Sequence, residues 1–194
     1  MAGVREKKAQ KTKTQLIAAA RRLFAKQGFA ATSTDEILQK AGVTRGALYH
    51  HFQDKAALFE AVCVALHEEA VAAIADVTGN QVAPFDALVA GSLAWIDHMA
   101  QPEVNRILIV EAPAVLGWER WNALDRAHGF GELMQGVAAA REAGAIRPVG
   151  VEELTVLLNG AMNAGVLWTG HAGGAQTLKR MKKAVRQLLF ALRI

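Results

Sequence analysis

The chain has 194 residues, 52% of them hydrophobic, with 22 Lys and Arg against 18 Asp and Glu. This length suits one large domain or two small ones around a buried core. The single cysteine, Cys63, excludes an intrachain disulfide, and no apolar segment of the signal-peptide type follows the basic amino terminus. The uncharged stretch 154–178 carries five glycines, and its apolar part ends at Trp168, short of the ~20 apolar residues of a transmembrane helix. We therefore expect a cytoplasmic protein with no membrane partner.

The positive charge is concentrated in the first quarter of the chain. Residues 1–55 hold eleven Lys and Arg against four Asp and Glu, a net charge of +7, whereas residues 56–194 hold eleven against fourteen, a net charge of −3. A basic segment on a mildly acidic remainder indicates a polyanion-binding module attached to a body with another role. A solvated, lysine-rich tail is the alternative interpretation. We expect two domains, at 1–55 and 56–194.

The first two predicted elements are helices. Alanine-rich composition and apolar spacings of three and four residues predict an all-α protein. The first helix has a capping-box spacing at Thr12 and Gln15 and ends at Gly28, which supplies a left-handed stop. The second helix is short, begins at Ser33 with a capping-box glutamate three residues later, and ends at Gly42.

A third short helix and a long fourth helix follow. Thr44 is placed to cap the third helix, whose inward residues are Leu48 and Phe52 at i and i+4. Asp54 caps the fourth helix, which ends near Gly79. Two short helices joined by a tight turn and preceded by a supporting helix are typical of a three-helix helix-turn-helix domain.

Longer helices are predicted for the remainder. Pro84 and Pro102 suit the first turns of two helices. Another helix covers residues 118–143, and two glycines in its middle leave open whether it is continuous. Helices at about 152–169 and 177–192 complete the chain as an antiparallel pair, joined by the glycine-rich segment 170–174.

The outward face of the third helix carries the groups expected to read DNA, because the second helix of a helix-turn-helix lies in the major groove. Arg45 is placed to reach guanine O6 and N7 as a bidentate donor. Gly46 has no side chain to hold the helix away from the groove. Tyr49 and His50 are expected to contact phosphates, and Tyr49 also a thymine methyl group, although Tyr49 as a half-buried packing residue is an alternative. His50 and His51 point about 100° apart on a helix, which disfavours a metal site.

Four further residues are candidate phosphate contacts. Thr32, Ser33 and Thr44 combine hydroxyl groups with free backbone N–H groups beside helix amino termini. Lys55 would add a point charge at the start of the fourth helix. Ser33 and Thr44 would cap their helices whatever the protein does, so these two carry little weight alone.

A family resemblance rests on this part of the chain, from about residue 12 to 60. The segments that carry it are GFAATS at 28–33, DEI at 35–37, AGVTRGALYHHF at 41–52 and DK at 54–55. Together they resemble the DNA-binding domain of the TetR (tetracycline-repressor-like) regulators; Gln53 departs from the small or basic residue frequent there. The resemblance implies a homodimeric, all-helical transcription factor, usually a repressor, whose larger carboxy-terminal domain binds a small organic molecule. We expect no cofactor.

A reader of palindromic DNA requires a dimer that holds two recognition helices about 34–36 Å apart. The last two helices are the expected interface, as an intermolecular four-helix bundle. An intramolecular core is the alternative for the same apolar face. The expected interface residues are Leu154, Leu158, Ala161, Gly165, Leu178, Met181, Val185, Leu188 and Leu192.

Polar residues among large apolar ones in the middle of the chain predict an effector cavity. Ordinary core packing is the alternative for each residue. The expected lining is drawn from Trp95, Met99, Glu111, Trp118, Trp121, Asn159 and Asn163.

Two other functional classes compete with a ligand-responsive repressor. An enzyme is disfavoured, because the chain has no nucleophile elbow, phosphate loop or zinc-protease pattern and Cys63 lies among apolar residues. A helical small-molecule binder whose DNA domain is unused, or an activator with the same fold, remains an alternative.

Overall fold

The first helix, α1, runs from Ala2 to Gln27 in the computed structural model, which describes residues 2–79 and 83–194. The predicted start at Thr12 is wrong: the Thr12 hydroxyl donates to the Lys8 carbonyl, 3.0 Å away, from within the helix. The Lys-, Ala- and Gln-rich segment before Thr12 has high helix propensity, which extends α1 towards the amino terminus. The helix ends at Gly28, as predicted, in the left-handed region with φ +87°.

The two short helices form as predicted. Helix α2 covers Thr34–Ala41 and α3 covers Arg45–His51. Ser33 forms a complete capping box, in which its side chain accepts the N–H of Glu36 and the Glu36 carboxylate accepts the N–H of Ser33. These bonds also lower the pKa of Glu36. Local bonds of this kind satisfy the unpaired N–H groups that every helix leaves at its start.

Helix α4 covers Lys55–Thr78 and connects the two parts of the protein. Asp54 caps it, as predicted. Phe59, in its second turn, packs against Phe24 and Phe29 of the amino-terminal part, with ring centroids 5.1 and 5.2 Å away. The aromatic cluster buries the start of α4 among the first three helices, whereas the rest of α4 packs along the body.

The body consists of further helices packed around α4. They are α5 (Pro84–Met99), α6 (Pro102–Val104), α7 (Ala112–Leu116), α8 (Trp118–Ala127), α9 (Gly129–Glu142), α10 (Val151–Ala172) and α11 (Ala175–Phe190). Helix α5 packs between α4 and α9, α9 packs against α10, and α11 against α10. The described ranges contain no β-strand beyond an isolated bridge and no helix both long and apolar enough to cross a bilayer. The all-α fold is confirmed.

The structure answers one open question about the body and corrects one predicted boundary. The helical stretch after Trp118 is broken at His128, whose backbone (φ −123°, ψ −92°) separates α8 from α9. Helix α10 continues beyond the predicted end to Ala172, so only Gly173 and Gly174, both with positive φ, form the turn to α11. The glycine-rich segment is therefore mostly helix.

A π-helical segment, Asn105–Glu111, lies between α6 and α7. The N–H that follows it, that of Ala112, donates to the carbonyl of Ile107, five residues earlier. A π-helix brings residues i and i+5 onto one face, and such segments are frequent at functional sites. Here it aligns Arg106 with Glu111, whose Nε and Oε1 atoms are 3.1 Å apart.

Candidate nucleic-acid interface and effector cavity

Helix α3 presents a polar outer face and an apolar inner one. Leu48 is buried in the core, whereas Arg45, Gly46, Tyr49 and His50 are all exposed. A Cβ atom added at Gly46 would have no neighbour within 4 Å, so the space beside this backbone is open. This arrangement leaves the four predicted base- and phosphate-contacting residues available to a polyanion.

Arg45 is held by Asp35, a residue that the sequence analysis did not single out. The Arg45 Nη2 atom lies 2.5 Å from Asp35 Oδ1, and both side chains are mostly solvent-exposed. Solvent-exposed ion pairs of this kind contribute little to stability. Asp35 therefore orients the guanidinium while leaving it free to exchange its partner.

The three predicted hydroxyl residues differ in availability. Thr32 is 1% exposed, and its hydroxyl donates to the Gly28 carbonyl, 2.7 Å away. The Ser33 hydroxyl donates to Glu36 within the capping box. Thr44 is exposed and accepts the N–H of Ala47. Of these three hydroxyl groups, only that of Thr44 keeps its proton free for an external acceptor. Thr32 is removed from the surface by burial, because its side chain is hydrogen-bonded within the loop between α1 and α2.

Lys55 is committed within the amino-terminal domain. Its Nζ donates to the carbonyl oxygens of Phe29 and Thr32, 2.8 Å from each, and lies 4.2 Å from the centroid of the Phe29 ring. These contacts use two of its three ammonium protons. Lys55 thus fixes the loop before α2 rather than presenting a free point charge.

The extended α1 adds a cation that the sequence analysis did not assign to the reading surface. Lys13 is exposed and lies near His51, at the end of α3. Burial lowers the pKa of His51, and the positive charges of His50 and Lys13 lower it further. The sequence shows only that Lys13 belongs to the basic amino-terminal segment. Its nearness to α3 depends on how α1 packs against that helix.

Glu111, predicted in the effector cavity, lies instead at the junction between the body and α1. Its Oε2 accepts the backbone N–H of Phe29 at 2.7 Å, and its other oxygen accepts Arg106. Arg106 donates in turn to the carbonyls of Ala25 and Lys26, at 3.2 and 3.1 Å, which are last-turn carbonyls of α1. Arg106 and Glu111 are named the junction pair below; they satisfy the end of α1 from the π-helical segment.

A second polar contact joins the same elements. Arg21 of α1 pairs with Glu69 of α4, at 2.5 Å, and with Glu103 of α6. The Glu111 carboxylate lies close to Gly28, since an added Cβ there would be 2.6 Å from Glu111 Oε1 and would displace it. The amino-terminal domain is therefore held at a defined position against the body.

A partly open cavity of about 130 Å³, named the internal cavity below, lies between α4, α5, α9 and α10. It contains two of the predicted effector residues, Trp95 and Asn159. The Asn159 side chain donates to Asp125 Oδ2 at 2.7 Å, and burial raises the pKa of Asp125. The full lining is Ile74, Thr78, Ala87, Leu88, Gly91, Ser92, Trp95, Gly129, Glu132, Leu133, Gly136, Asn159 and Met162.

Other predicted effector residues line a more open cleft of about 460 Å³ between α8 and α10. Trp118, Trp121 and Asn163 lie there, and Asn159 borders both spaces. The Trp121 indole donates to the carbonyl of Leu108 in the π-helical segment, 2.9 Å away. Met99 is buried in the core and lines neither space. The seven residues predicted to line one cavity are therefore distributed in the fold among the internal cavity, the cleft, the core and the junction with α1.

A stacked pair of histidines, the buried His67 and the partly exposed His128, lies beside the break between α8 and α9. The rings of His67 and His128 are 5.4 Å apart and nearly parallel, and both ring nitrogens of His67 lack a hydrogen-bond partner within the described ranges. Burial, and to a lesser extent the neighbouring His128 and His98, lower the pKa of His67 to about 4. His67 is therefore neutral in the folded protein at pH 7.

His67 makes stability depend on pH. Its folded pKa is about 4 against an ordinary 6.5, so its contribution is fully present above pH 6.5 and is lost as the pH falls towards 4. The full loss from this one group is about 3 kcal/mol. Urea denaturation at pH 7 and pH 4.5 should show this decrease, and His67→Leu should flatten it while His50→Leu, on the exposed face of α3, leaves it unchanged. If His67→Leu loses as much stability between pH 7 and pH 4.5 as the wild type does, the pH dependence belongs to other groups.

The residues expected at the dimer interface are divided between a buried and an exposed face of the last two helices. Leu154, Leu158, Gly165 and Val185 are buried within their own protomer, and the expectation that they form the interface is wrong. Leu178, Met181 and Leu192 are partly covered, whereas Ala161 and Leu188 are exposed. The outer face of α10 instead carries an exposed row at helical spacing, named the α10 stripe: Leu157, Ala161, Ala164 and Trp168.

Comparison with known proteins gives two family-model matches. Residues 16–62 match bacterial regulatory proteins of the tetR family, and residues 85–192 match the Tetracyclin repressor-like C-terminal domain. The regulator TtgR of Pseudomonas putida is 49% identical over 63 residues, which are 32% of this chain and 30% of TtgR. The TetC protein of transposon Tn10 in Escherichia coli is 29% identical over 149 residues, 77% of this chain and 75% of TetC.

Solved structures are similar over nearly the whole chain. A TetR-family transcriptional regulator from Pectobacterium atrosepticum has a TM-score of 0.81 and 26% identity, covering 96% of each chain. The structure of RolR in complex with resorcinol has a TM-score of 0.71 and 17% identity, covering 94% of this chain and 89% of RolR, so it shows a shared fold.

Proposed function

Since the chain belongs to the TetR family of bacterial regulatory proteins, we propose that it is a homodimeric repressor, released from a palindromic operator by a small organic effector. The observation that carries the proposal is the exposed face of α3, on which Arg45, Gly46, Tyr49 and His50 lie together in open space. The protein would act on double-stranded DNA in the cytoplasm and is not an enzyme.

Recognition of the operator is divided between bases and phosphates. Arg45 exchanges Asp35 for the O6 and N7 atoms of a guanine, a contact in which a guanidinium donates twice. Gly46 allows close approach of the α3 backbone, and Tyr49 and His50 contact phosphates or a thymine methyl group. Thr44 and Lys13 supply further phosphate contacts, which set affinity without choosing a sequence. Lys55 and Thr32 act indirectly, by fixing the loop before α2.

The α10 stripe supports pairing of two protomers. An isologous interface places the same face of both copies against each other across a twofold axis. Small residues at 161 and 164 allow close helix approach, with Leu157 and Trp168 as larger anchors. Together with α11, the stripe would form the four-helix bundle that spaces the two α3 helices.

The effector signal has a continuous physical route to α3. Helix α4 lines the internal cavity through Ile74 and Thr78 and packs against the first three helices through Phe59. The junction pair ties the π-helical segment to the end of α1. A ligand that shifts α4 or the π-helical segment changes the distance between the two α3 helices, and DNA must then weaken effector binding by the same factor.

Arg45→Ala is the test of base readout. Loss of a bidentate base contact should weaken binding to the operator by about 1–3 kcal/mol and relax the preference at that base pair. Fluorescence anisotropy with the DNA upstream of the protein's own gene, in wild type and variant, measures both effects. Arg141→Ala, an exposed change on α9, is the matched control. An equal loss on operator and scrambled DNA would contradict base readout by Arg45.

A further inference from the structure

The wall of the internal cavity contains an ionisable side chain with no polar partner among the described residues. Glu132 lines it from α9 and makes no ion pair or side-chain hydrogen bond within the described residues. His128, four residues before Glu132, stacks on His67. The nearest Lys or Arg along the chain, Arg126, lines the neighbouring cleft, where it pairs with Glu152 and lies 4.5 Å from the centroid of the Phe130 ring. Among the described residues, no Lys or Arg lines the internal cavity. The cavity therefore offers a carboxylate and no compensating cation.

The rest of the wall is suited to one ring. Most lining residues are apolar, and Trp95, 3% exposed, contributes an indole. Gly129 allows that indole its position, because a Cβ atom at residue 129 would lie 2.8 Å from Trp95 Nε1. An apolar cavity of about 150 Å³ accommodates benzene, so a space of about 130 Å³ is of single-ring size.

Charge and shape together define the ligand class. The Glu132 carboxylate is partly exposed in a wall that is otherwise mostly apolar, and a cation that binds in the cavity gains a charge-assisted contact with it. An ammonium group is also attracted to the face of a tryptophan ring. We propose that the cavity binds a compact organic cation, one ring bearing one ammonium group, with Glu132 as its counter-ion and Trp95 in its wall. This inference rests on the proposed function, because it names the chemistry of the effector in that cavity.

Three single-ring probes separate the effect of charge from that of shape. Benzylamine, which is protonated at pH 7, benzyl alcohol and benzoate are titrated into the full-length wild-type protein by isothermal titration calorimetry. We expect benzylamine to bind at least about 10-fold more tightly than benzyl alcohol, and benzoate to bind most weakly, since one charge-assisted contact supplies that factor.

The Glu132→Gln variant tests whether the preference for benzylamine comes from the Glu132 carboxylate. It should bring benzylamine to within about twofold of benzyl alcohol, because it removes the charge but keeps the shape. Glu142→Gln, an exposed change on the same helix, should keep the wild-type ratio. Thermal unfolding and circular dichroism of both variants verify that they are folded.

Several outcomes would overturn the inference. Equal binding of benzylamine and benzyl alcohol to wild type, or a benzylamine preference that survives in Glu132→Gln, would contradict the cation class. Failure of all three probes to bind would contradict ring-sized occupancy of this cavity. Operator binding by the same samples distinguishes these results from failure of the proposed function, because a wrong ligand class leaves DNA binding intact whereas a wrong function removes it.

Discussion

Leu157→Asp is expected to yield a folded monomer that has lost tight operator binding. Leu157 is 70% exposed in the single chain, so the substitution costs the protomer little. In the proposed dimer the same position lies at the interface of both copies, and the twofold axis brings two unpaired carboxylates into an apolar contact. Because two linked readers bind about 10²–10⁴-fold more tightly than one, operator affinity should fall by a factor in that range.

Sedimentation velocity at micromolar concentration and anisotropy with operator DNA measure the two parts of this prediction. Met134→Asp is the matched control, since Met134 is a partly exposed hydrophobic residue on α9, outside the α10 stripe. It should remain dimeric and bind DNA as wild type does. A Leu157→Asp protein that is still dimeric would show that the interface lies on another face.

Glu111→Ala is expected to loosen the amino-terminal domain from the body. The change leaves the N–H of Phe29 without its acceptor and frees Arg106 from its carboxylate partner. Removal of a partly buried, charge-assisted acceptor costs about 1.5–3 kcal/mol of the free energy of unfolding. Operator affinity should fall as well, because the position of α2 and α3 is no longer fixed against the body.

Chemical denaturation and hydrogen exchange at the Phe29 amide test this expectation. Glu111→Gln keeps an oxygen acceptor and should retain most of the stability, while Glu119→Ala, an exposed change on α8, should behave as wild type. Protection of the Phe29 amide equal to wild type in Glu111→Ala would show that the junction pair does not hold the domain.

The helix-turn-helix was predictable because its signals are local. The Ser33 capping box, the Gly42 stop and the inward Leu48 all act within a few residues, and the structure has them as predicted. The outward positions of Arg45 and Tyr49 follow by subtraction from that inner face. The start of α1 was missed because a good capping spacing at Thr12 lies within a sequence that favours helix on both sides.

The body was less predictable because its outcome depends on packing between distant elements. Helix α10 is apolar on two faces, so periodicity does not decide which face meets the core: Leu158 is buried and Leu157 exposed, one residue apart. Glu111 resembled a cavity residue after an apolar run, yet a π-helical turn directs it to Phe29. A π-helical turn changes which residues after it face the core, by about one position. A search for the α-helical period in the sequence does not detect this change.

The most direct test of the account is selection of DNA from fragmented genomic DNA by the purified protein, followed by sequencing of the retained fragments. A dimeric reader should enrich a twofold-symmetric motif whose half-site centres are 34–36 Å, or a multiple of one helical turn, apart. The affinity for this DNA should fall steeply with salt: the logarithm of the binding constant should decrease with the logarithm of the salt concentration, with a slope of about −0.9 per phosphate contact. Retention without any common motif, or enrichment of an asymmetric single half-site, would contradict a dimer that reads a palindrome through two copies of α3.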